Sequence, residues 1–336
     1  MLNQDEKYMK ECFKLAKKGF GKVSPNPMVG CVVLNKNGDV VSKGYHHQYG
    51  KNHAERDALL KLKNCEEKGG TLYVNLEPCS HYGKTPPCVD LIIERRIKRV
   101  VIGMKDVNPK VKGISKLKQA GIEVTTGILE EESKFLNRVF IKNMSKNLPY
   151  VVLKTATTMD GKISTKTGDS KWITSEKSRA EVYKMRQEFD CIMTTSNTVI
   201  ADNPTMEHRN KCILDTNGRV PKNAKIFKQG NIFVATKENT PIKNGNLDIK
   251  SVLKELYKKG IYTVFVECGG TLAGAMLKEG LIDEVYQFIA PKILNDNSGK
   301  SCYNGDDVEQ ISASKNLKIY SASTIGSDLL IKCKVL

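Results

Sequence analysis

His53-Ala54-Glu55 and the later run Glu77-Pro78-Cys79-Ser80-His81-Tyr82-Gly83-Lys84-Thr85-Pro86-Pro87-Cys88 decide how the first half of the chain is read. One imidazole and two thiolates, from His53, Cys79 and Cys88, make the donor set of a catalytic zinc that keeps its fourth position open for water. A structural zinc normally closes that position with a further Cys or His. Glu55 stands two residues from the histidine and is better placed to move protons than to bind the ion. Asn52 reads as the N-cap of a helix that opens at His53 and runs through Leu59, Leu60 and Leu62. Deep inside a helix, residues two apart diverge. In the first turn they can converge on an ion beyond the helix end.

The second ligand group follows Thr71–Leu76, a β-rich apolar run that reads as a strand, and Cys88 opens another helical pattern through Val89, Leu91, Ile92 and Ile93. Two helix N-termini then face one ion, and their dipoles favour the thiolate form of cysteine. Zinc deaminases of nucleobases have a glutamate beside the ligands in this way, acting as general acid and base.

Outward from this centre, 336 residues suggest two domains, and a hydrophobic content of 40% suffices for packed cores. No run approaches the ~20 apolar residues of a membrane span. The N-terminus has no basic stretch followed by an apolar one, and ten cysteines without regular spacing suggest reduced thiols, so a cytoplasmic protein is expected. The net charge of +17 is spread along amphipathic helices, as at Lys7, Lys10, Lys14, Lys17 and Lys18, and forms no basic tract.

The first half reads as a helix ending near Gly19, a loop Ser24–Met28, and strands Val29–Leu34 and Val40–Tyr45 joined through Asn37-Gly38. After the metal segments come a strand at Arg99–Met104, a helix near Ile114–Gln119, a strand at Ile122–Thr126 and a helix at Glu130–Phe140. The order implies a three-layer α/β domain over residues 1–147, with Lys142–Pro149 as the linker. Residues 148–336 restart with a strand at Tyr150–Ala156 and alternate further strands (191–195, 212–215, 232–236, 263–267) with helices at 175–188 and 251–259, a second α/β domain. There Glu267-Cys268-Gly269-Gly270-Thr271-Leu272-Ala273-Gly274-Ala275 follows a strand and opens a helix, and its glycines would let the backbone approach a phosphate at the helix N-terminus.

These stretches together resemble the bifunctional riboflavin-biosynthesis deaminase–reductases. The matching residues include Pro25-Asn26-Pro27, Gly44-Tyr45-His46, the two metal segments, Met159-Asp160-Gly161, Ser170–Ser175, Thr198–Pro204, Glu267–Ala275 and Ala290-Pro291-Lys292. The long insert between Cys79 and Cys88 differs from the Pro-Cys-x-x-Cys of nucleic-acid deaminases and argues for a small substrate. The resemblance implies a cytidine-deaminase-like domain followed by a dihydrofolate-reductase-like one, with zinc and NADPH as cofactors. It implies deamination of 2,5-diamino-6-ribosylamino-4-pyrimidinone 5′-phosphate, then reduction of the ribosyl side chain to ribityl.

Position by position, the resemblance gives the metal to His53, Cys79 and Cys88, proton transfer to Glu55, and the pyrimidine phosphate to Asn26, His46 and Lys84. In the second half it gives the cofactor to Thr157, Trp172, Thr198, Asp202, Thr216 and Gly269, Gly270, Thr271, Leu272, Ala273, Gly274 and Ala275, and the substrate to Ser170, Arg186, Met206, Arg209 and Glu267. Arg56 departs from the pattern, which usually has an apolar residue after the glutamate. Partners are expected to be small phosphorylated pyrimidines, with neither nucleic acid nor membrane, in a homo-oligomer. A nucleic-acid-editing deaminase or a zinc-stabilised interaction module would share the first-half motif and leave the second half without a role.

Overall fold

A computed structural model describes residues 3–306 and 308–336. The chain forms two compact units, Met1–Asn147 and Leu148–Leu336. In chain order the first contains α1 (Gln4–Lys17), β1 (Gly30–Leu34), β2 (Val40–Tyr45), α2 (Ala54–Leu59), β3 (Thr71–Leu76), α3 (Cys88–Glu94), β4 (Arg99–Met104), α4 (Gly113–Gln119), β5 (Glu123–Thr126), α5 (Glu130–Leu136) and α6 (Arg138–Lys146).

Its sheet runs β2-β1-β3-β4-β5, antiparallel over the first three strands and parallel from β3 onward. Successive side chains of a strand point to opposite faces. Thus Cys31, Val33, Leu72 and Val74 pack with Ala58 and Leu59 of α2 and Ile92 of α3. Val32, Leu34 and Tyr73 pack on the other face with Met9, Cys12 and Leu15 of α1. Covering both faces explains why β1, β3 and β4 read as almost unbroken apolar runs.

The second unit contains β6 (Tyr150–Thr158), β7 (Lys162–Ser164), α7 (Glu176–Arg186), β8 (Cys191–Thr195), α8 (Ser196–Asp202), β9 (Asn210–Leu214), β10 (Asn231–Ala235), β11 (Ile242–Lys243), β12 (Asn246–Leu247) and α9 (Ile249–Lys258). It continues with β13 (Thr263–Glu267), α10 (Gly270–Lys278), β14 (Glu284–Ala290), β15 (Lys300–Ser301), β16 (Leu317–Ile325) and β17 (Asp328–Val335). Its main sheet has the order β10-β9-β8-β13-β6-β14-β17-β16, parallel from β10 to β14, with β17 and β16 antiparallel at the far edge. Helices α9 and α10 bury Leu253, Leu256 and Met276 against one face, while Val199 of α8 joins Ile192 and Ile213 on the other.

Three readings change. The helix after the metal segment starts at Ala54, with His53 itself at the N-cap in extended backbone, and ends at Leu59. The linker is much shorter than 142–149, because α6 continues to Lys146 and stops on a left-handed Asn147. The helix expected over 130–140 is broken at Asn137, whose side chain turns away to bond the backbone of Met28. Strands β14, β16 and β17 had no counterpart in the reading of the pattern. All ten cysteines are free. Among the described residues no helix is long and apolar enough to cross a membrane.

Candidate metal centre and reductase cleft

His53, Cys79 and Cys88 come together because α2 and α3 begin at the same place, His53 at the N-cap of one and Cys88 at the first position of the other. Their donor atoms lie within 4.8 Å of one another. The Nδ1 of His53 is 3.4 Å from the Cys79 sulfur and 3.6 Å from the Cys88 sulfur. Ordinary Zn–N and Zn–S bonds in a tetrahedron put nitrogen and sulfur ~3.5 Å apart, so the trio fits zinc without rearrangement. Among the described residues no fourth His, Cys, Asp or Glu joins the cluster. That is the ligand count of a catalytic site.

The electrostatics agree with a thiolate-rich pocket. The hydrogen bond between the two thiols holds Cys79 well below the usual range and pushes Cys88 above it, so one sulfur ionises first and the other follows when a cation arrives. The backbone N–H of Cys88 donates to the Cys79 sulfur at 3.3 Å. Glu55 is 3% exposed; burial, then the Cys79 charge, push its carboxyl up to about 7. A carboxyl placed there can both take and give a proton near neutrality.

The surrounding wall is pinned by buried polar side chains that the motif alone does not reveal. His46 is buried, and burial lowers its pKa. Its Nδ1 donates to the carbonyl of Asn52 and its Nε2 accepts from the Asn26 amide at 3.1 Å, which fixes the neutral tautomer and orients Asn26. Asn75 accepts from Gly30 N–H and donates to Met28 C=O, locking the Asn26 loop onto β3. Glu77 accepts from the N–H groups of Asp106 and Ile114, and Ser80 accepts from Lys112 N–H, so the Cys79 loop is anchored to the segment after β4. A Cβ on Gly113 would lie 2.1 Å from Pro78 C=O, which explains the glycine there.

Asp106 was not foreseen. Burial pushes its carboxyl up to about 6, and it feels the charges of Glu77, His81 and Cys79. Lys84 lies exposed with its ammonium 4.1 Å from the centre of the Tyr49 ring. Arg56 leaves its Nε buried without a hydrogen-bond partner.

The second unit holds a cleft of ≈ 1590 Å³, larger than the ~300–1,000 Å³ of a drug-sized site. Its lining includes Ser170, Trp172, Arg186, Thr198, Asp202, Met206, Thr216, Glu267, Gly269, Thr271, Leu272, Gly274 and Ala275. Thr157, Gly270 and Ala273 lie buried outside it, and Arg209 lies exposed outside it.

Glu267 is at the centre of an ion cluster. Arg186 forks onto it at 2.6 and 3.0 Å, and Lys154, a residue the pattern did not single out, reaches it at 3.0 Å. Burial opposes its ionisation, but the charges of Lys154 and Arg186 prevail and hold the carboxyl at about 2.

The glycines divide their labour. Gly269, the N-cap of α10, has nothing within 4 Å of an added Cβ, leaving open approach to the helix N-terminus. Gly270 and Gly274 instead let α10 pack on the backbone of Ser301 and Asn304, where a Cβ would come within 2.3 and 1.6 Å of a carbonyl oxygen. Opposite, Trp172 is 61% exposed, with the Arg179 guanidinium 4.3 Å from the centre of its ring. A roomy cleft with an unobstructed helix N-terminus fits a dinucleotide.

An open soft-ligand trio beside a buried carboxyl defines a zinc-dependent hydrolytic deaminase, here in one chain with a second unit whose cleft fits a dinucleotide. Comparison with known proteins narrows the class. Residues 2–104 match the cytidine and deoxycytidylate deaminase zinc-binding region, and residues 149–331 match the RibD C-terminal domain. The riboflavin biosynthesis protein RibD of Aquifex aeolicus is 40% identical, covering 97% of each chain, and that of Escherichia coli is 36% identical, covering 98% of each. A solved structure of Acinetobacter baumannii RibD superposes with a TM-score of 0.85 at 35% identity, covering 99% of both chains. The Thermotoga maritima deaminase/reductase superposes with a TM-score of 0.83 at 37% identity and the same coverage.

The chain belongs to the RibD family of riboflavin biosynthesis. It is a bifunctional enzyme, a zinc-dependent deaminase of the cytidine-deaminase fold and an NADPH-dependent reductase of the dihydrofolate-reductase type.

Proposed function

We propose that the first unit deaminates 2,5-diamino-6-ribosylamino-4-pyrimidinone 5′-phosphate at Glu55 and that the second reduces the product's ribosyl group, each with the residues named above. The observation that supports this most directly is the three-donor cluster of His53, Cys79 and Cys88 with Glu55 buried beside it. Zinc held by those three residues supplies Lewis-acid activation of water at neutral pH. Glu55 would take one proton from the attacking water as its oxygen bonds the amino-bearing carbon, and pass it to the adjacent ring nitrogen. It would then take the second proton from the new hydroxyl and give it to the departing amine. The C–N bond breaks, ammonia leaves, and a carbonyl remains.

Around that centre Asn26, oriented by His46, presents its amide to the pyrimidine edge. Asp106 is a second candidate for the exocyclic groups, and Lys84, steadied over Tyr49, meets the phosphate. The loop between Cys79 and Cys88 is anchored at Ser80 by Lys112 N–H and Lys116 Nζ, and its length sets it apart from the Pro-Cys-x-x-Cys of nucleic-acid deaminases.

In the cleft NADPH supplies the hydride. Gly269 at the start of α10 would receive its pyrophosphate, and Thr198, Asp202 and Thr216 are the cleft residues that would hold the rest of it. Glu267 with Lys154 and Arg186 faces the sugar, with Ser170 and Met206 completing the substrate side. Cations around a carboxylate can hold the sugar's carbonyl form and the hydroxyl it becomes through charge-assisted hydrogen bonds. Beyond the sites, β16 leaves a long, mostly exposed edge on which a homo-oligomer can form.

One coupled assay tests the whole reading. Purified protein given the diaminopyrimidine should release ammonia and consume NADPH, and a chelator should stop both. Deaminated product supplied directly should restore NADPH consumption in the chelated protein. Reduction that still requires the metal would sink the two-site reading.

A further inference from the structure

We propose that Arg219 selects NADPH over NADH by binding the 2′-phosphate of the adenosine ribose. The inference rests on the reading that the cleft takes the cofactor with its pyrophosphate at Gly269.

The carboxyl ends of β13, β8 and β9 lie side by side, since Val266 pairs with Met193 and Met193 with Cys212. Three residues beyond each of these are Gly269, Ser196 and Asp215. Adjacent strands are ~4.8 Å apart, so the turn after β9 stands roughly 10 Å from Gly269. That is the reach from a pyrophosphate to the far side of the neighbouring ribose.

The turn is built to present Arg219. Asp215 is 1% exposed, and its two carboxylate oxygens accept from the backbone N–H groups of Arg219 and Val220. In sites for the unphosphorylated cofactor, an acidic residue in this kind of position binds the ribose 2′-hydroxyl, while an arginine accommodates a 2′-phosphate. Here the carboxylate is turned inward and consumed, and the guanidinium is what the strand end offers.

Arg219 lines the cleft, and its side chain donates to Ser196 Oγ at 3.1 Å and Asn197 Oδ1 at 2.6 Å. Both partners are neutral, and among the described residues no carboxylate pairs with it. Lys171 and Lys300 also line the cleft, on the Trp172 segment and on β15, not on the turns after β8 and β9. Most other cations of the wall are committed. Lys154 and Arg186 serve Glu267, Lys243 pairs with Glu279, Lys278 with Asp306, and Arg179 stacks on Trp172. Asp202, the nearest acid on the same helix, is six residues beyond Ser196, roughly 9 Å along its axis. A guanidinium held by hydroxyl and amide groups, with its charge uncompensated, suits a dianionic phosphate.

The test uses the full-length protein and two fragments of the cofactor, 2′,5′-ADP and 5′-AMP, titrated by calorimetry, together with KM for NADPH and for NADH. The wild type should bind 2′,5′-ADP tighter than 5′-AMP, and Arg219→Ala should erase that difference. NADPH preference should fall by about tenfold or more, the loss expected for a charge-assisted hydrogen bond. Arg219→Lys, which keeps charge without the fork, should recover part of it. Equal weakening of both fragments in Arg219→Ala would overturn the proposal, as would a preference left intact. A wild type that binds neither fragment and leaves NADPH unoxidised would remove the cofactor reading beneath it, a result distinct from either.

Discussion

The two active regions are built in opposite ways. The metal centre draws its ligands from two short segments, each at a helix start, and the distances among its donors already match those of a bound ion. The cleft is assembled from strand ends, turns and a helix start scattered from Lys154 to Asp306, and its central carboxylate, on β13, is held by cations from two other elements, β6 and α7. A metal imposes donor type and distance, so the sequence must supply them in a narrow pattern. A cofactor binds through backbone and shape as much as through side chains, and many sequences satisfy that.

The sharpest break in this contrast comes from Glu55→Gln. Ammonia release should fall by about 10³-fold or more, as expected for loss of a proton-transfer group, while zinc stays bound and reduction of supplied product continues. Loss of metal along with activity would make Glu55 a ligand and erase the distinction drawn here.

Cys79→Ser should lower zinc content to well under one equivalent and reduce the thermal stability of the first unit, because binding energy and folding energy are shared at such a site. Elemental analysis beside a melting curve reads both effects. A full equivalent of zinc in the variant would count against the ligand assignment.

In the cleft, Glu267→Gln leaves Arg186 and Lys154 without their buried counter-charge. The second unit should lose about 3 kcal/mol at pH 7. The carboxyl is held at about 2 in the folded chain, against ~4.3 when unfolded. Its contribution is therefore complete above the unfolded value and fades as pH falls from about 5 toward 2. Variant and wild type should converge over that window in urea melts, and a gap independent of pH would mean that the loss is one of packing.

The smallest effect sharpens the division among the glycines. Gly274→Ala must push α10 off Asn304, costing about 1–3 kcal/mol, and should raise KM for NADPH through displacement of the helix. Gly269→Ala, with open space in front of it, should leave stability nearly unchanged and weaken cofactor binding only. An unchanged KM for NADPH in Gly269→Ala would count against that glycine's role at the cofactor.

Much of the first unit could be read from the chain because burial on both sheet faces leaves apolar runs, and because Asn37-Gly38 announces its own hairpin. The helix break at Asn137 was hidden, since it depends on a loop more than a hundred residues away. Strand β16 escaped because it is exposed along most of its length and buries little apolar surface. Lys154 and Asp106 gave no local signal: a lysine within a strand and an aspartate after one become site residues only when a partner folds against them.

The order of donors, the acid beside them and the glycine run were determined by sequence alone, because metal coordination and tight backbone approach tolerate few residue types. Tertiary structure decided which groups close the walls. Glu267 is an ion-cluster centre because β6 and α7 bring it two cations, and Arg219 faces the cleft because a buried Asp215 folds its turn. Such roles depend on charges brought within a few ångströms across long chain separations, where the dielectric is low and one neighbour alters what a residue can do.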